Sequence, residues 1–261
     1  MKILVIVSFV LMVTVNALAN ILPINNITTG EVSDFYQNLF APAGLTFSIW
    51  GLIYILLLGF SLYQTGLFNK EKSTFFENRL NLIRIIFIIS SIFNALWIFA
   101  WHYDLIGVSL ILMIGILISL ILISLFINKE KRNQTQTKVD KIFVNIPFSI
   151  YFGWITVAMI ANVTTWLVKI DWNGFGISEP TWMIIVVCVG LMISVATILK
   201  NMDPVYGLVI VWAYVGILIK HVSANGFNEQ YPSIIATVMM SIAILIIFII
   251  STKFLKKSCM L

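Results

Sequence analysis

The sequence predicts an all-α, polytopic membrane protein that forms a bundle of about eight transmembrane helices. Of its 261 residues, 60% are apolar and only 10% are charged, and the mean hydropathy is +1.02. Eight apolar runs are each long enough to cross about 30 Å of hydrocarbon as a helix. These runs lack the alternation of apolar and polar residues that is typical of transmembrane β-strands. A soluble globular domain is therefore excluded, and we expect helices rather than strands.

The predicted helices follow one another along the chain with mostly short connections. By their apolar content we place them at residues 3–22, 43–64, 80–102, 105–127, 142–168, 181–199, 205–221 and 232–252. Three connections are longer, at residues 23–42, 65–79 and 129–141, and the last two are charged. The sequence contains no low-complexity segment and no soluble domain. We therefore expect the protein to act within or at the membrane.

The basic residues predict how the bundle is oriented. If all eight segments span, every lysine and arginine except Lys169 and Lys220 falls on the same side of the membrane. Cytoplasmic loops carry an excess of these residues, so both termini are predicted to be cytoplasmic. The net charge of +5 is thus a topology signal and does not indicate nucleic-acid binding. We expect a multi-pass protein of the cell membrane whose partner is the lipid bilayer.

The first apolar run has a second interpretation. Lys2, the apolar stretch and the small residues Ala17-Leu18-Ala19 also fit a secretory signal peptide with its cleavage site. We favour a retained helix. Cleavage would leave seven helices in the same orientation, so the charge pattern does not decide between the two.

Residues that carry catalytic or metal chemistry form no constellation in the sequence. Cys188 lies in an apolar run and Cys259 in the cytoplasmic tail, so we predict no disulfide and no metal site. His102 and His221 end helices at the predicted outer rim, where a plain interfacial role competes with axial ligation of a haem iron. Lys220 also ends a helix, where lysines extend towards the interface, so we do not expect a retinal Schiff base. No catalytic residue is predicted, and the sequence favours a protein that is not an enzyme.

Three predicted helices each carry a stripe of aromatic and polar side chains, because a spacing of three or four residues aligns side chains on one helix face. The stripes are Phe47, Trp50 and Tyr54; Asn94, Trp97 and Trp101; and Tyr151, Trp154, Ala158 and Asn162. None of the eight tryptophans lies at the predicted cytoplasmic boundary, whereas an ordinary aromatic belt occupies both interfaces. Packing of one helix against another is one interpretation of these stripes.

The two asparagines in the stripes favour another interpretation. An unpaired amide inside an apolar helix is costly, so Asn94 and Asn162 are expected to face the interior of the bundle. An interior lined by indoles, phenols and amides suits a flat, largely apolar molecule with a few polar edges. Alternatively, the two amides hydrogen-bond across helices and serve packing alone.

At these stripes the chain resembles the tryptophan-rich sensory protein family, which comprises TspO and the mitochondrial translocator (peripheral benzodiazepine receptor) protein. The stretch APAGLTFSIWGLIY, residues 41–54, resembles the first loop and second helix of that five-helix family, and the stripes of the third and fifth predicted helices match its motifs there. The resemblance covers roughly residues 1–168. It implies a TspO-like five-helix core over residues 1–170, followed by three additional helices and a basic cytoplasmic tail over residues 171–261.

The resemblance also implies a function, because members of the family bind porphyrins such as haem and protoporphyrin. It implies a tryptophan-rich sensory or binding protein that holds a flat hydrophobic ligand in an aromatic pocket in the outer half of the bundle, with no cofactor required. Stacking walls are assigned to Trp50, Trp97, Trp101 and Trp154, polar contacts to Tyr54, Asn94 and Asn162, the covering loop to Pro42 and Gly44, and the remaining lining to Phe47, Tyr151 and Ala158.

Two alternatives to a binding protein remain open. The extra helices, and a faint echo of Trp154, Ala158 and Asn162 in Trp212, Gly216 and Lys220, suggest a small-molecule transporter. The family resemblance also admits an enzyme that degrades porphyrin in the light. The sequence leaves the identity of the ligand open, and it leaves a homodimer open as well.

Overall fold

The structure, a computed structural model, describes residues 1–22, 24–66, 74–132 and 136–258. Cys259 lies outside the described residues. Within the described residues the chain is helical and contains no strand. The α-helices are α1 (Lys2–Ile21), α2 (Thr29–Phe35), α3 (Ile49–Tyr63), α4 (Thr74–His102), α5 (Ile106–Arg132), α6 (Lys138–Asp140), α7 (Ile146–Lys169), α8 (Glu179–Asn201), α9 (Pro204–Val222) and α10 (Pro232–Ser258). Short 3₁₀ helices lie at Ile24–Asn26, Gly44–Ser48 and Gly174–Gly176, and a π-helical segment, Lys141–Asn145, joins α6 to α7.

Eight helical segments among the described residues are long and apolar enough to cross a membrane. They are Lys2–Ile21, Gly44–Tyr63, Glu77–His102, Ile106–Lys131, Lys138–Lys169, Glu179–Asn201, Pro204–Val222 and Pro232–Thr252. Each overlaps one of the eight predicted segments, so the prediction of an all-α, polytopic membrane bundle is confirmed. The cytoplasmic placement of both termini stays a prediction.

Three helices extend at least five residues further than their apolar content predicts, and one of them is α10, which continues from the predicted end at residue 252 to Ser258. The third predicted segment begins at residue 80, whereas α4 begins at Thr74, and the fourth ends at residue 127, whereas α5 continues to Arg132. The added turns carry charged residues, among them Glu77, Arg79 and Glu130. Hydropathy marks where a helix leaves the hydrocarbon, but glutamate, lysine and arginine are good helix formers and continue the helix beyond that point.

The contacts within the chain divide it into two compact units. Unit 1 comprises Met1–Val32 and Ile49–Ile155, and unit 2 comprises Ser33–Ser48 and Thr156–Leu261. Helix α7 is therefore divided between the units after Ile155. The predicted division at residue 170 rests on a family resemblance rather than on contacts, and it stays a prediction.

Unit 1 is built around α4, which packs against α1 and α5, while α1 also packs against α3. Its core contains three phenylalanine rings, Phe60, Phe87 and Phe148, which meet edge to face with centroid separations of 4.8–5.9 Å. Thr28 caps α2, because its hydroxyl oxygen accepts a hydrogen bond from the backbone N–H of Glu31 at 3.3 Å. The backbone N–H and the hydroxyl of Thr28 both donate to the Glu31 carboxylate at 2.7 Å. The same hydrogen bonds, that of the backbone first, lower the pKa of Glu31.

Unit 2 is built around α10, which packs against both α8 and α9. The turn between α8 and α9 is sharp, since Met202 adopts a left-handed conformation and Pro204 begins the next helix. Asp203 caps α9 by accepting hydrogen bonds from the backbone N–H groups of Val205 and Tyr206. The buried Tyr214 hydroxyl donates to the Val187 carbonyl at 2.8 Å and so ties α9 to α8.

Candidate functional site

Four of the predicted site residues form one aromatic cluster in unit 1. The cluster consists of Trp50 and Tyr54 on α3 and Tyr151 and Trp154 on α7. The Trp50 ring lies at its centre, stacked on Tyr54 with a centroid separation of 5.6 Å and meeting Tyr151 and Trp154 edge to face at 6.0 and 6.2 Å. Tyr151 and Trp154 are buried, and Trp50 and Tyr54 are half-buried. Four residues of the α3 and α7 stripes, Trp50, Tyr54, Tyr151 and Trp154, therefore meet in unit 1.

Asn94 lies beside this cluster and is fully buried. Its side-chain NH₂ donates to the Tyr151 hydroxyl at 3.1 Å, and its side-chain oxygen accepts a hydrogen bond from Asn16 at 2.7 Å. The Asn16 amide donates in addition to the Met12 carbonyl at 2.8 Å. The expectation that Asn94 faces the interior therefore holds, and the amide is satisfied by α1 and α7. Hydrogen bonds of this kind, between side chains of neighbouring helices, are what we expect if the stripes serve to pack helices together.

Trp97 and Trp101 form a second aromatic pair on α4. Their rings stack with a centroid separation of 5.6 Å, and both side chains are buried. The indole N–H of Trp101 donates to the Thr29 carbonyl at 3.1 Å, whereas the indole N–H of Trp97 is buried with no hydrogen-bond partner among the described residues. Trp101 thus holds the start of α2 against the end of α4.

His102 continues this anchoring at the end of α4. Its Nδ1 lies 3.1 Å from the Ile24 carbonyl and its Nε2 lies 3.1 Å from the Thr29 hydroxyl. A carbonyl oxygen only accepts hydrogen bonds, so Nδ1 donates to Ile24. Asn25 donates to the His102 carbonyl at 3.0 Å. Both ring nitrogens, one of which would have to be free for axial ligation of haem, are engaged by the segment between α1 and α2 and by the start of α2.

The other five predicted site residues belong to unit 2. Pro42 and Asn162 are buried, Phe47 and Ala158 are half-buried, and Gly44 is exposed at the start of the 3₁₀ helix Gly44–Ser48. Between Pro42 and Gly44, the backbone N–H of Ala43 donates to the Gly216 carbonyl at 3.0 Å. The loop that carries these residues is therefore fastened to α9. Convergence of all twelve predicted residues on a single pocket stays a prediction.

Unit 1 contains a buried polar cluster around Arg84 and Asp140 that was not predicted from the sequence, because its basic residue was interpreted only as a topology signal. Arg84 is 1% exposed, and its guanidinium donates to Gln64 at 2.8 Å and to Glu77 at 2.6 Å. The buried Asp140 carboxylate accepts hydrogen bonds from the Tyr63 hydroxyl and from the backbone of Thr137. A signal was present, since Arg84 falls inside the predicted span 80–102, and a charge at such a position requires partners.

The helices and their contacts define the class of this protein. A bundle of apolar helices with buried amides and aromatic rings, of which eight are long enough to span a bilayer, is a multi-pass membrane protein. A family model described as TSPO-like protein matches residues 2–251, and the chain belongs to this family. The recognition made from the three stripes is thus confirmed. The match extends beyond the motif resemblance at residues 1–168 and includes α8 and α9. Neither a curated protein nor a solved structure matches the chain.

Proposed function

We propose that this protein is a sensory or binding protein that holds a flat, hydrophobic ligand of the porphyrin type, such as haem or protoporphyrin, against the aromatic cluster in the outer half of the membrane. The observation that carries the proposal is the position of Trp50, whose ring is half-buried and contacts the three other rings of the cluster. Aromatic faces attract large flat π-systems through offset stacking and burial of apolar area.

The surroundings of Trp50 support the proposal because they are held in place by hydrogen bonds within the chain. Tyr151 is fully buried and accepts a hydrogen bond from Asn94, which is itself bonded to Asn16. The back of the cluster is thus anchored on two further helices, α1 and α4. A binding surface that needs no ordering loses less conformational entropy when it binds.

The chemistry of the cluster favours a ligand with an apolar face and a polar edge. Trp50 and Tyr54 lie one turn apart on α3 and are both half-buried, so each retains accessible surface. An indole and a phenol offer apolar area for a macrocycle, and the Tyr54 hydroxyl offers a hydrogen bond to a polar substituent. A porphyrin with a hydrophobic ring and carboxylate side chains has this combination.

The test is a titration of the detergent-purified protein with protoporphyrin IX, followed by the absorbance of the porphyrin. We expect saturable binding that weakens at least about 10-fold in Trp50→Ala, a loss of about 1.4 kcal/mol. Trp172→Ala is the matched control, because Trp172 is also half-buried and contacts aromatic rings, Phe175 and Trp182, outside the cluster. Size-exclusion chromatography establishes that both variants are folded.

Binding that is absent up to tens of micromolar, or that is equal in folded Trp50→Ala and the unsubstituted protein, would overturn the proposal. Two alternatives predict further changes in the same system. A transporter moves porphyrin into proteoliposomes, whereas a binding protein does not. A light-dependent degrading enzyme bleaches the porphyrin only under illumination, and the bleaching requires Trp50.

A further inference from the structure

Unit 2 contains a cavity that lies outside the aromatic cluster. Its volume is about 300 Å³, and it lies between the segment 33–41 and the end of α9 with the loop that follows. The side chains that bear on its chemistry are Asp34, Gln37, Ala41, Lys220, Asn225 and Phe227. Ligand pockets usually measure about 300–1,000 Å³, so this cavity suits a small molecule. Its mixture of opposite charges, amides and one aromatic ring is unlike the apolar faces that the spanning helices present to lipid.

The first wall of the cavity is fixed by buried hydrogen bonds. The side-chain oxygen of Asn38 accepts from the backbone N–H groups of Phe40 and Ala41 at 3.1 and 3.0 Å. The Leu39 carbonyl accepts from Nε2 of His221, at 2.9 Å, and this histidine is fully buried. The segment that carries Gln37 and Ala41 is therefore pinned to α9.

The second wall is fixed by the loop after α9. The backbone N–H of Phe227 donates to the Lys220 carbonyl at 2.9 Å, and the N–H of Gly226 donates to the Ser223 carbonyl at 2.9 Å. A Cβ atom at Gly226 would overlap the Lys220 carbonyl, so only glycine lets the loop close this tightly. Both walls are thus fixed by hydrogen bonds within the chain, which favours binding because little order has to be gained.

One ion pair joins the two walls. The Lys220 ammonium lies 3.1 Å from a carboxylate oxygen of Asp34, and the two side chains are 26% and 62% exposed. Exposed pairs of this kind contribute little to stability, so a ligand that offers both charges can replace the pair at small cost. A ligand with a single charge would meet repulsion from the residue of like charge a few ångströms away.

We propose that this cavity binds a small zwitterion of the α-amino acid type, whose carboxylate pairs with Lys220 and whose ammonium pairs with Asp34. The amides of Gln37 and Asn225 supply further hydrogen bonds, and Phe227 and Ala41 contact an apolar side chain. A neutral polyol could use the amides, but it would gain nothing from two adjacent opposite charges. The site shares no residue with the aromatic cluster, so a test that rejects one proposal does not reject the other.

The test uses equilibrium dialysis of the full chain in detergent against radiolabelled alanine, serine and proline. N-acetylalanine, alaninamide and glucose serve as competitors that lack the ammonium, the carboxylate and both charges, respectively. We expect saturable binding of at least one amino acid at millimolar concentration or below. We expect each competitor to be at least about 10-fold weaker than the bound amino acid.

Two substitutions with matched controls connect binding to the cavity. Lys220→Met and Asp34→Asn should each weaken amino-acid binding at least about 10-fold. Lys200→Met and Asp171→Asn make the same changes at exposed positions outside the cavity and should leave binding unchanged. Size-exclusion chromatography and circular dichroism establish that all four variants are folded, whether or not the protein binds protoporphyrin.

Three results would overturn the proposal. The first is no saturable binding of any of the three amino acids up to about 10 mM, the range of very weak ligands. The second is competition by glucose as strong as that by the amino acid, which would assign the cavity to a polyol. The third is binding that persists in folded Lys220→Met and Asp34→Asn.

Discussion

At the scale of single residues, Asn94 joins helices that are far apart in the chain, and the sequence around it does not predict which helices these are. Its amide contacts side chains from α1 and α7, which lie 78 and 57 positions away along the chain. The cost of burying an amide predicts that Asn94 faces inward, but that cost does not name the partner. Asn16 lies within the first apolar run, and only the packing of α1 on α4 identifies it as the hydrogen-bond partner of Asn94.

We expect Asn94→Leu to destabilise the protein by about 1–2 kcal/mol, because the Tyr151 hydroxyl and the Asn16 amide lose a buried partner. The measurement is unfolding in mixed detergent micelles, followed by circular dichroism. Asn20→Leu is the control, since Asn20 is exposed and bonds only to the Asn16 carbonyl within α1. It should change stability by less than about 0.5 kcal/mol.

A double variant separates the Asn16–Asn94 hydrogen bond from other effects of the substitution. Asn16→Leu with Asn94→Leu should cost less than the two single changes added together, because each single change already removes the shared bond. Strict additivity would show that the 2.7 Å contact contributes no coupling between α1 and α4.

Arg84 shows at the same scale how a topology signal can conceal a structural role. The positive-inside rule explains why a basic residue lies near the predicted cytoplasmic side. It does not explain why the guanidinium is 1% exposed and bonded to Gln64, Glu77 and Asn81. Those partners come from the end of α3 and the start of α4, and the sequence alone does not bring these ends together.

At the scale of elements, the close approach of α9 to the 3₁₀ helix Gly44–Ser48 depends on one glycine. The Gly216 carbonyl accepts from Ala43, and the indole N–H of Trp212 donates to the Thr46 carbonyl at 3.0 Å. A Cβ atom at Gly216 would overlap the Thr46 side chain. Packing this close leaves no room for a methyl group. The sequence drew attention to Trp212 and Gly216 only as a faint repeat, and the structure gives them a packing role.

Gly216→Ala is expected to destabilise unit 2 by about 1–3 kcal/mol through overpacking against Thr46. Gly51→Ala is the matched control, because Gly51 lies within α3 with open space around its Cα. It should be neutral or stabilising by up to about 1 kcal/mol, since alanine favours a helix more than glycine does. Thermal unfolding in detergent measures both.

The variant Gly216→Ala with Thr46→Ala tests the cause of that destabilisation. Shortening Thr46 removes its two outer atoms from the path of the added methyl, so part of the lost stability should return. No recovery would mean that the glycine is required for another reason.

At the scale of the whole molecule, the eight spanning segments and the distribution of basic residues predict that both termini lie on the cytoplasmic side. The contacts of α1 with α3 and α4, and the bond from Asn16 to Asn94, support a first helix that is retained. Loss of α1 would leave the Asn94 side-chain oxygen without this partner inside the bundle, which is costly.

Epitope tags at the two ends of the chain test this arrangement. Both tags should resist protease in intact cells and become accessible after permeabilisation, and the N-terminal tag should remain on the full-length protein. Loss of the N-terminal tag would show that the first segment is a cleaved signal peptide. Tags on opposite sides would show that one of the eight segments does not span.

The sequence by itself determined the fold class, the number of helices in the described residues that are long and apolar enough to span a membrane, and the family of this protein. Each depends on a local quantity: hydropathy over about 20 residues sets a spanning helix, and a spacing of three or four residues sets a stripe on one face. That Asn94 faces the interior of the bundle was also predictable, because an unpaired amide is costly to leave inside an apolar helix.

Only the tertiary structure decided which side chains meet. It paired Asn94 with Asn16 and buried Arg84 among polar partners. It placed Trp101 against the start of α2 and His102 against the segment before α2. It also brought together the residues that line the cavity beside Lys220. The physical reason is that these contacts join residues far apart in the chain. Hydrogen-bond geometry and close packing select among many partners of similar chemistry, and helix periodicity carries no information on that choice.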